Sequence, residues 1–283
     1  MIELSRVGLG TNNFGRRLDR AHSIAVVHAA LDAGVTHIDT ANIYGGGESE
    51  RFIGAALEGR RGDAFLATKF GMGEGGNGSP EYVHRALDAS LESLRTDHVD
   101  LLYYHRPDGV TPIADTLGAM LQLVEEGTVR HLGVSNMDAA QLRQAAAAGP
   151  VALAQNRYSL LERGAEEEVL PACAELGVGF VPYFPLASGL LTGKYRRAEP
   201  APPGTRLEGQ EIEDETYDRI EALEHFAAER GRSLLELAFG ALASRMEIVS
   251  VIAGATSPEQ VRANAAAASW QLTADELASL PSY

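Results

Sequence analysis

Eight short apolar runs, each followed by a polar turn and then a stretch of helical period, constrain this chain more than any other feature. They are Val7–Thr11 (VGLGT), Val35–Thr40 (VTHIDT), Ala64–Lys69 (AFLATK) and Val99–His105 (VDLLYYH). Val129–Ser135 (VRHLGVS), Ala152–Asn156 (ALAQN), Val178–Phe184 (VGFVPYF) and Ile248–Gly254 (IVSVIAG) complete the series. Runs that are apolar on both faces suit strands covered by helices, as in a parallel sheet. Between them stand helix signals. Asp19 ahead of AHSIAVVHAALDAG predicts an N-cap and a stop at Gly34. Ser79 before Pro80 and Glu81 predicts a second start, Thr111 with Gly127 a third, and Ser257 a fourth. Strict strand–helix alternation predicts an α/β fold closed into a (β/α)8 TIM barrel. A doubly wound open sheet is the alternative, because alternation alone does not distinguish closure from an edge. No linker or low-complexity tract divides the chain, so residues 1–283 are expected to form one domain.

One segment breaks the rhythm. Pro185 to Glu213 is a long connection rich in Pro, Gly and charge, and loops of that length in compact domains are usually functional or disordered. Helical stretches at Asp214–Arg230 and Ser233–Ser244 follow it, one more than a minimal barrel needs. The net formal charge is −15 and the pI about 5.0, which repels phosphate backbones and anionic lipid and argues against nucleic acid or membrane as partners. Cys173 is the single cysteine, so no intrachain disulfide and no Cys-built metal site is expected. The start MIELSRVGLG has no basic head before an apolar run, so no leader is expected. A cytoplasmic, monomeric enzyme without a metal is the plain expectation.

In such barrels the chemistry sits where strands end. The second run ends at Asp39, with Tyr44 in the loop beyond it; the third ends at Lys69 and the fourth at His105. These groups converge over one rim if the barrel closes. Lys69 beside the phenol would then lower the tyrosine pKa, Asp39 would orient the lysine, and His105 could orient a carbonyl. Each residue has a structural reading too. Asp39 could cap a turn, Lys69 could be solvated, His105 could be structural, and the Tyr44–Gly47 loop could be an ordinary turn.

At these positions the wording resembles the aldo-keto reductase family. DTANIYGGGESE, LATKFG, VDLLYYHRPD, GTVRHLGVSN and PYFPLASGLLTGKY fit its separated motifs in order, over Val7 to about Ala268. The resemblance implies an NAD(P)-dependent oxidoreductase interconverting an aldehyde, ketone or sugar with its alcohol or lactone. It implies Tyr44 as general acid and base, Lys69 and Asp39 behind it, and His105 on the carbonyl.

The cofactor side follows in the same way. No GxGxxG opens a helix after the first run, so a Rossmann pocket is not indicated. The resemblance implies Ser135, Asn136 and Gln155 on the nicotinamide carboxamide and Tyr183 against its ring, over a floor of Gly10, Thr11 and Asn12. Read singly, Asn136 could equally be a helix N-cap and Tyr183 a core aromatic. Pro185, Leu186, Ser188, Gly189, Leu191 and Lys194 offer backbone N–H groups and a cation to a pyrophosphate. Gly254, Ala255, Thr256, Ser257, Gln260 and Asn264 would hold the adenosine end. NADP-preferring relatives often carry Lys or Arg where Ser257 stands, with Arg262 the nearby cation in sequence; both NADP(H) and NAD(H) stay open. Asn13, Phe14 and Tyr104 are the candidate substrate pocket. Two other functions fit the same fold: a cofactor-binding subunit that senses redox state, and an aldolase with Lys69 as Schiff-base lysine.

Overall fold

The computed structural model describes residues 2–73 and 75–281. Its strands are β1 (Val7–Gly10), β2 (His37–Asp39), β3 (Phe65–Phe70), β4 (Val99–Tyr104), β5 (Val129–Ser135), β6 (Val151–Arg157), β7 (Gly179–Tyr183) and β8 (Val251–Gly254). Each pairs in parallel with the next, and β1 pairs with β8 from Val7↔Val251 to Gly10↔Gly254. The barrel is closed, which removes the open-sheet alternative.

Helices α1 (Arg20–Asp32), α2 (Glu48–Ala56), α3 (Pro80–Leu94), α4 (Ile113–Glu125), α5 (Ala139–Ala148) and α6 (Val169–Leu176) return the chain between the first seven strands. Then come α7 (Asp214–Ala228) and α8 (Leu234–Ala243) before β8, and α9 (Pro258–Ala267) and α10 (Ala274–Ala278) after it. The extra helix is α7. It packs with α8 and the C-terminal segment through Ile220, Leu223, Phe226, Leu237, Trp270 and Leu272, a core separate from that of the barrel wall.

The period of two along each strand sorts the rest. Ala67, Leu101, Tyr103, Leu153, Val181 and Ile252 fill the barrel interior. Their neighbours Leu66, Leu102, Ala154 and Phe180 join the larger cluster in the wall beneath the helices. Tyr103 sets the spacing of the interior. A Cβ at Gly133 would lie 2.5 Å from its ring, so β5 gives up a side chain to let a tyrosine lie across the barrel. One step of two beyond this layer brings Lys69, His105, Gln155 and Tyr183 to the C-terminal rim.

The caps read from the sequence hold at Asp19, Ser79 and Ser257, whose side chains accept from His22, Tyr82 and Gln260 backbone N–H. Thr111 is a correction. The residue before α4 is Pro112, and Thr111 instead gives its backbone N–H and hydroxyl to Asp108, each at 2.7 Å. The carboxylate three residues before it outcompetes the helix end for it. Asn136 is not an N-cap either; Asp138 caps α5 with Gln141 in a reciprocal box.

Candidate active site

The interior rows of β2 and β3 bring Asp39 and Lys69 together at the top of the packed core. Both are buried, and Lys69 Nζ donates to Asp39 Oδ1 at 2.5 Å and to the Thr40 carbonyl at 2.9 Å. Gln155 Nε2 donates to the other carboxylate oxygen at 2.8 Å. A buried charge pair is tolerable when its remaining lone pairs and protons are met in this way. Burial drives the lysine pKa below its ordinary value, while Asp39 opposes that shift.

Tyr44 stands above the pair. Its loop carries left-handed glycines, and a Cβ on Gly45 (φ 59) would collide with the Phe14 carbonyl. The glycine therefore lets the loop after β2 press against the loop after β1. Lys69 Nζ lies 5.4 Å from the Tyr44 ring centre, and the His105 ring stands edge-on to it at 6.0 Å and 80°. The expected depression of the phenol pKa is not what this arrangement yields. Burial pushes the phenol well above its ordinary value, with the Asp39 and Tyr183 charges acting in the same direction. The ammonium is committed to Asp39, so the carboxylate offsets its influence at the phenol. Tyr44 is thus held as the protonated acid.

His105 is buried and neutral. Burial, then the Lys69 and Arg106 charges, bring its pKa down to about 3. Its backbone N–H donates to the Phe70 carbonyl at 2.8 Å, and its Nδ1 has no partner among the described residues. Asn136 fixes the strand end beside it, with Nδ2 2.9 Å from the His105 carbonyl and Oδ1 accepting from the Tyr183 hydroxyl at 2.7 Å. Asn136 has φ 56, a left-handed conformation uncommon for a residue with a side chain.

These groups line a cavity of about 830 Å³ at the C-terminal mouth, near the upper end of the usual range for ligand sites. Gly10, Thr11, Asn12, Ser135, Asn136, Gln155 and Tyr183 line it from the strand ends, with Asp39, Tyr44 and His105. Pro185, Leu186, Ser188, Gly189 and Lys194 line it from the loop after β7, and Gly254, Thr256, Gln260 and Asn264 from β8 and α9. The loop after β7 is strained, with positive φ at Phe184 (55), Ala187 (45) and Ser188 (60), a cost that clusters at ligand clamps. Amides, a cation, turned backbone and a helix N-terminus together fit the chemistry of a nicotinamide dinucleotide.

Several sequence-singled residues stand elsewhere. Phe14 is fully buried in the barrel-wall core, and Leu191 in the α7–α8 core. Tyr104 faces outward on β4, stacked 5.4 Å from Phe70, with its hydroxyl accepting from Asp108 N–H at 2.9 Å. Of the three substrate-pocket candidates, only Asn13 lines the cavity. Lys69 and Ala255 are buried behind the lining, and Ser257 serves as the α9 cap, 3.3 Å from Gln260 N. Arg262 is exposed and turned to Glu259 at 3.8 Å. Residues that the sequence reading passed over do line it, among them Arg16, Arg17, Ile43, Met72, Arg106, Phe184 and Arg206. Arg106 and Phe184 directly follow singled-out strand ends and were findable by that rule; Arg206 lies deep in a loop with no local signal.

The profile of the Aldo/keto reductase family matches residues 6–282. This chain is a member of that family. A relative from Glycine max, described as probable aldo-keto reductase 1, is 33% identical over 294 residues, covering 98% of this chain and 84% of its own length. Among solved structures, a glycerol dehydrogenase from Gluconobacter oxydans superposes with a TM-score of 0.87 at 30% identity, covering 98% of this chain and 90% of that one. An aldo/keto reductase from Klebsiella pneumoniae, solved in complex with NADP and acetate, gives 0.76 at 30% identity with the same coverage. Aldo-keto reductases are NAD(P)H-dependent oxidoreductases of small carbonyl compounds, and this barrel is of their kind. Among the described residues no helix is long and apolar enough to cross a membrane, and no cluster of His, Cys, Asp and Glu could hold a metal.

Proposed function

We propose that this chain interconverts a small aldehyde, ketone or sugar with its alcohol or lactone, with Tyr44 moving the proton. The observation that carries this reading is that Tyr44 and neutral His105 face one cavity with the Asp39-paired Lys69 directly behind Tyr44. When bound, the nicotinamide cofactor supplies or accepts hydride at the carbonyl carbon. Neutral His105 can donate a hydrogen bond to the carbonyl oxygen and hold it toward Tyr44. As negative charge develops on that oxygen, the Tyr44 phenol donates its proton, and the nearby Lys69 ammonium stabilises the phenolate that results. In oxidation the same phenolate takes the proton back.

Asn136, Gln155 and Ser135 are the proposed carboxamide partners, and Tyr183 the ring's neighbour. The Tyr183–Asn136 hydrogen bond of 2.7 Å would then give way to the cofactor amide. Lys194 and the backbone at Pro185–Gly189 would face the pyrophosphate, and Thr256, Gln260 and Asn264 the adenosine. An aldolase role suits Lys69 poorly, because its buried amine is already held by Asp39 and the Thr40 carbonyl.

The test is the oxidation of NADPH and of NADH, assayed separately with a reactive aromatic aldehyde, for the wild type and Tyr44→Phe. Loss of about 10²–10⁴-fold in kcat with cofactor affinity retained is the expected result. Equal rates in the two proteins would remove Tyr44 from the proton path. Tight cofactor binding with no turnover in either would favour a sensing subunit.

A further inference from the structure

The cavity mouth has a charge pattern that proton transfer does not use. Arg16, Arg17, Arg106, Lys194 and Arg206 all line it, and Asp39 is the one carboxylate lining it among the described residues. Elsewhere the protein pairs its cations generously. Arg197 alone reaches Asp214, Asp218 and Glu221, as suits a chain of net charge −15. None of the mouth cations is ion-paired within the described residues. Lysine and backbone can serve the cofactor's pyrophosphate, which leaves the arginines to be accounted for.

They come to the mouth from the end of β4 and from the loops after β1 and β7. Arg106 directly follows His105, and its charge is felt at both His105 and Tyr183. Arg206 lies with its guanidinium 5.3 Å from the Phe184 ring centre and 3.2 Å from Asn13 Oδ1. Arg17 reaches the Gly204 carbonyl, tying the loop after β1 to the loop after β7. Burial, then Arg17 and Arg16, hold the Arg206 guanidinium below its ordinary value. Like charges gathered without a counter-ion cost free energy until an anion arrives. Apolar Ile43, Met72 and Phe184 line the same cavity and can cover a carbon skeleton.

Resting on the oxidoreductase reading above, we propose that the substrate carries an anionic group, a carboxylate or a phosphate, recognised at the mouth by Arg106 and Arg206 with Arg16 and Arg17 supplying field. A cleft lined by one sign of charge concentrates its counter-ion and raises the rate of encounter. An arginine–carboxylate contact adds a charge-assisted hydrogen bond whose loss is felt as roughly a tenfold change or more. The chemistry could also come from the cofactor's phosphates, and the experiment separates the two sources.

The experiment compares kcat/KM for 4-formylbenzoate and for its methyl ester. The ester is the intrinsically more electrophilic aldehyde, so a preference for the carboxylate must come from the protein. Calorimetric titration with NADPH and NADP+ runs in parallel, on the wild type, Arg106→Gln and Arg206→Gln. The proposal expects the carboxylate to be favoured by about tenfold or more, and each variant to cut that preference several-fold. It also expects the preference to shrink between about 0.05 and 0.5 M salt, and Arg106→Gln to bind both cofactors within about twofold of wild type. No preference in the wild type overturns the proposal. Variants that keep the preference but lose cofactor affinity also overturn it and assign the arginines to the cofactor's phosphates. If neither aldehyde turns over, the oxidoreductase reading is what fails. Binding of benzoate against benzamide to the cofactor-loaded protein then decides this inference alone, with a preference for benzoate lost in Arg106→Gln supporting it and equal binding overturning it.

Discussion

The cavity mouth and the opposite end of this barrel treat arginine in opposite ways. At the N-terminal end, Asp100 near the start of β4 is buried and gathers two guanidiniums, with Arg61 Nη2 at 2.7 Å and Arg130 Nη1 at 2.6 Å. The same carboxylate accepts from the Leu66 backbone N–H at 2.9 Å. At the C-terminal end the arginines lining the cavity meet no carboxylate among the described residues, while a lysine sunk below them is tightly paired. Arg157 at the end of β6, outside the lining, pairs with Glu162. One end resolves its electrostatics within the chain; the cavity mouth leaves its cations without a counter-charge among the described residues. In a parallel barrel the loops of the C-terminal face carry the chemistry and the other face carries stability, and the charge pairing follows that division.

That contrast can be broken first at Lys69. Lys69→Met leaves Asp39 buried with only Gln155 on its carboxylate, and removes the charge that steadies a Tyr44 phenolate. We expect kcat to fall by about 10²–10⁴-fold in a steady-state assay; a variant within a few-fold of wild type would mean the pair is architectural. Asp100→Ala tests the opposite end. It strands two arginines and an interior backbone N–H, and should cost about 3 kcal/mol in urea unfolding while kcat of the folded enzyme holds. A matching loss of kcat would erase the distinction between the ends.

Acid sharpens the comparison through two buried histidines. His37, on β2 two residues before Asp39, is fully buried against Ser250 at 2.9 Å, and burial lowers its pKa to about 4. His105 at the other end is brought down to about 3. Both folded values lie below the unfolded value, so the unfolded state takes up protons first. The stability these groups contribute is whole above about pH 6.5, declines below it, and is lost as pH falls through about 4 and 3. The full loss is on the order of 3 kcal/mol for His37 and about 5 kcal/mol for His105. Urea midpoints between pH 7 and 4 should fall steadily, and a flat profile would contradict the neutral, buried assignment. The smallest effect is expected at the mouth. Arg106→Gln should leave the unfolding free energy within about 0.5 kcal/mol, because an exposed arginine without a partner holds nothing together. A larger loss would show that it is tied into the fold.

The sequence was most legible where a local rule has one solution. Side-chain caps at Asp19, Ser79 and Ser257 need only a hydrogen bond three residues along. The strand-end rule located Asp39, Lys69 and His105 because residues two apart on a strand share a face. The substrate-pocket candidates Tyr104 and Phe14 instead pack into the barrel wall and do not line the cavity. Thr111 was lost to Asp108, a carboxylate three residues back and as local as any cap, which competes for the same hydroxyl and N–H.

Alternation of apolar runs and helical stretches, the strand-end chemistry and the family motifs are properties of neighbours along the chain, and the sequence alone determined them. Closure of β1 on β8, the raised pKa of Tyr44 and the unpaired arginines of the mouth were decided only in three dimensions. The reason is the same in each case. Hydrogen-bond partners, burial and counter-charges are supplied by residues far away in sequence, as when Gln155 meets Asp39 or Arg206 meets Asn13. Charge acts through space, and the barrel sets which charges share it.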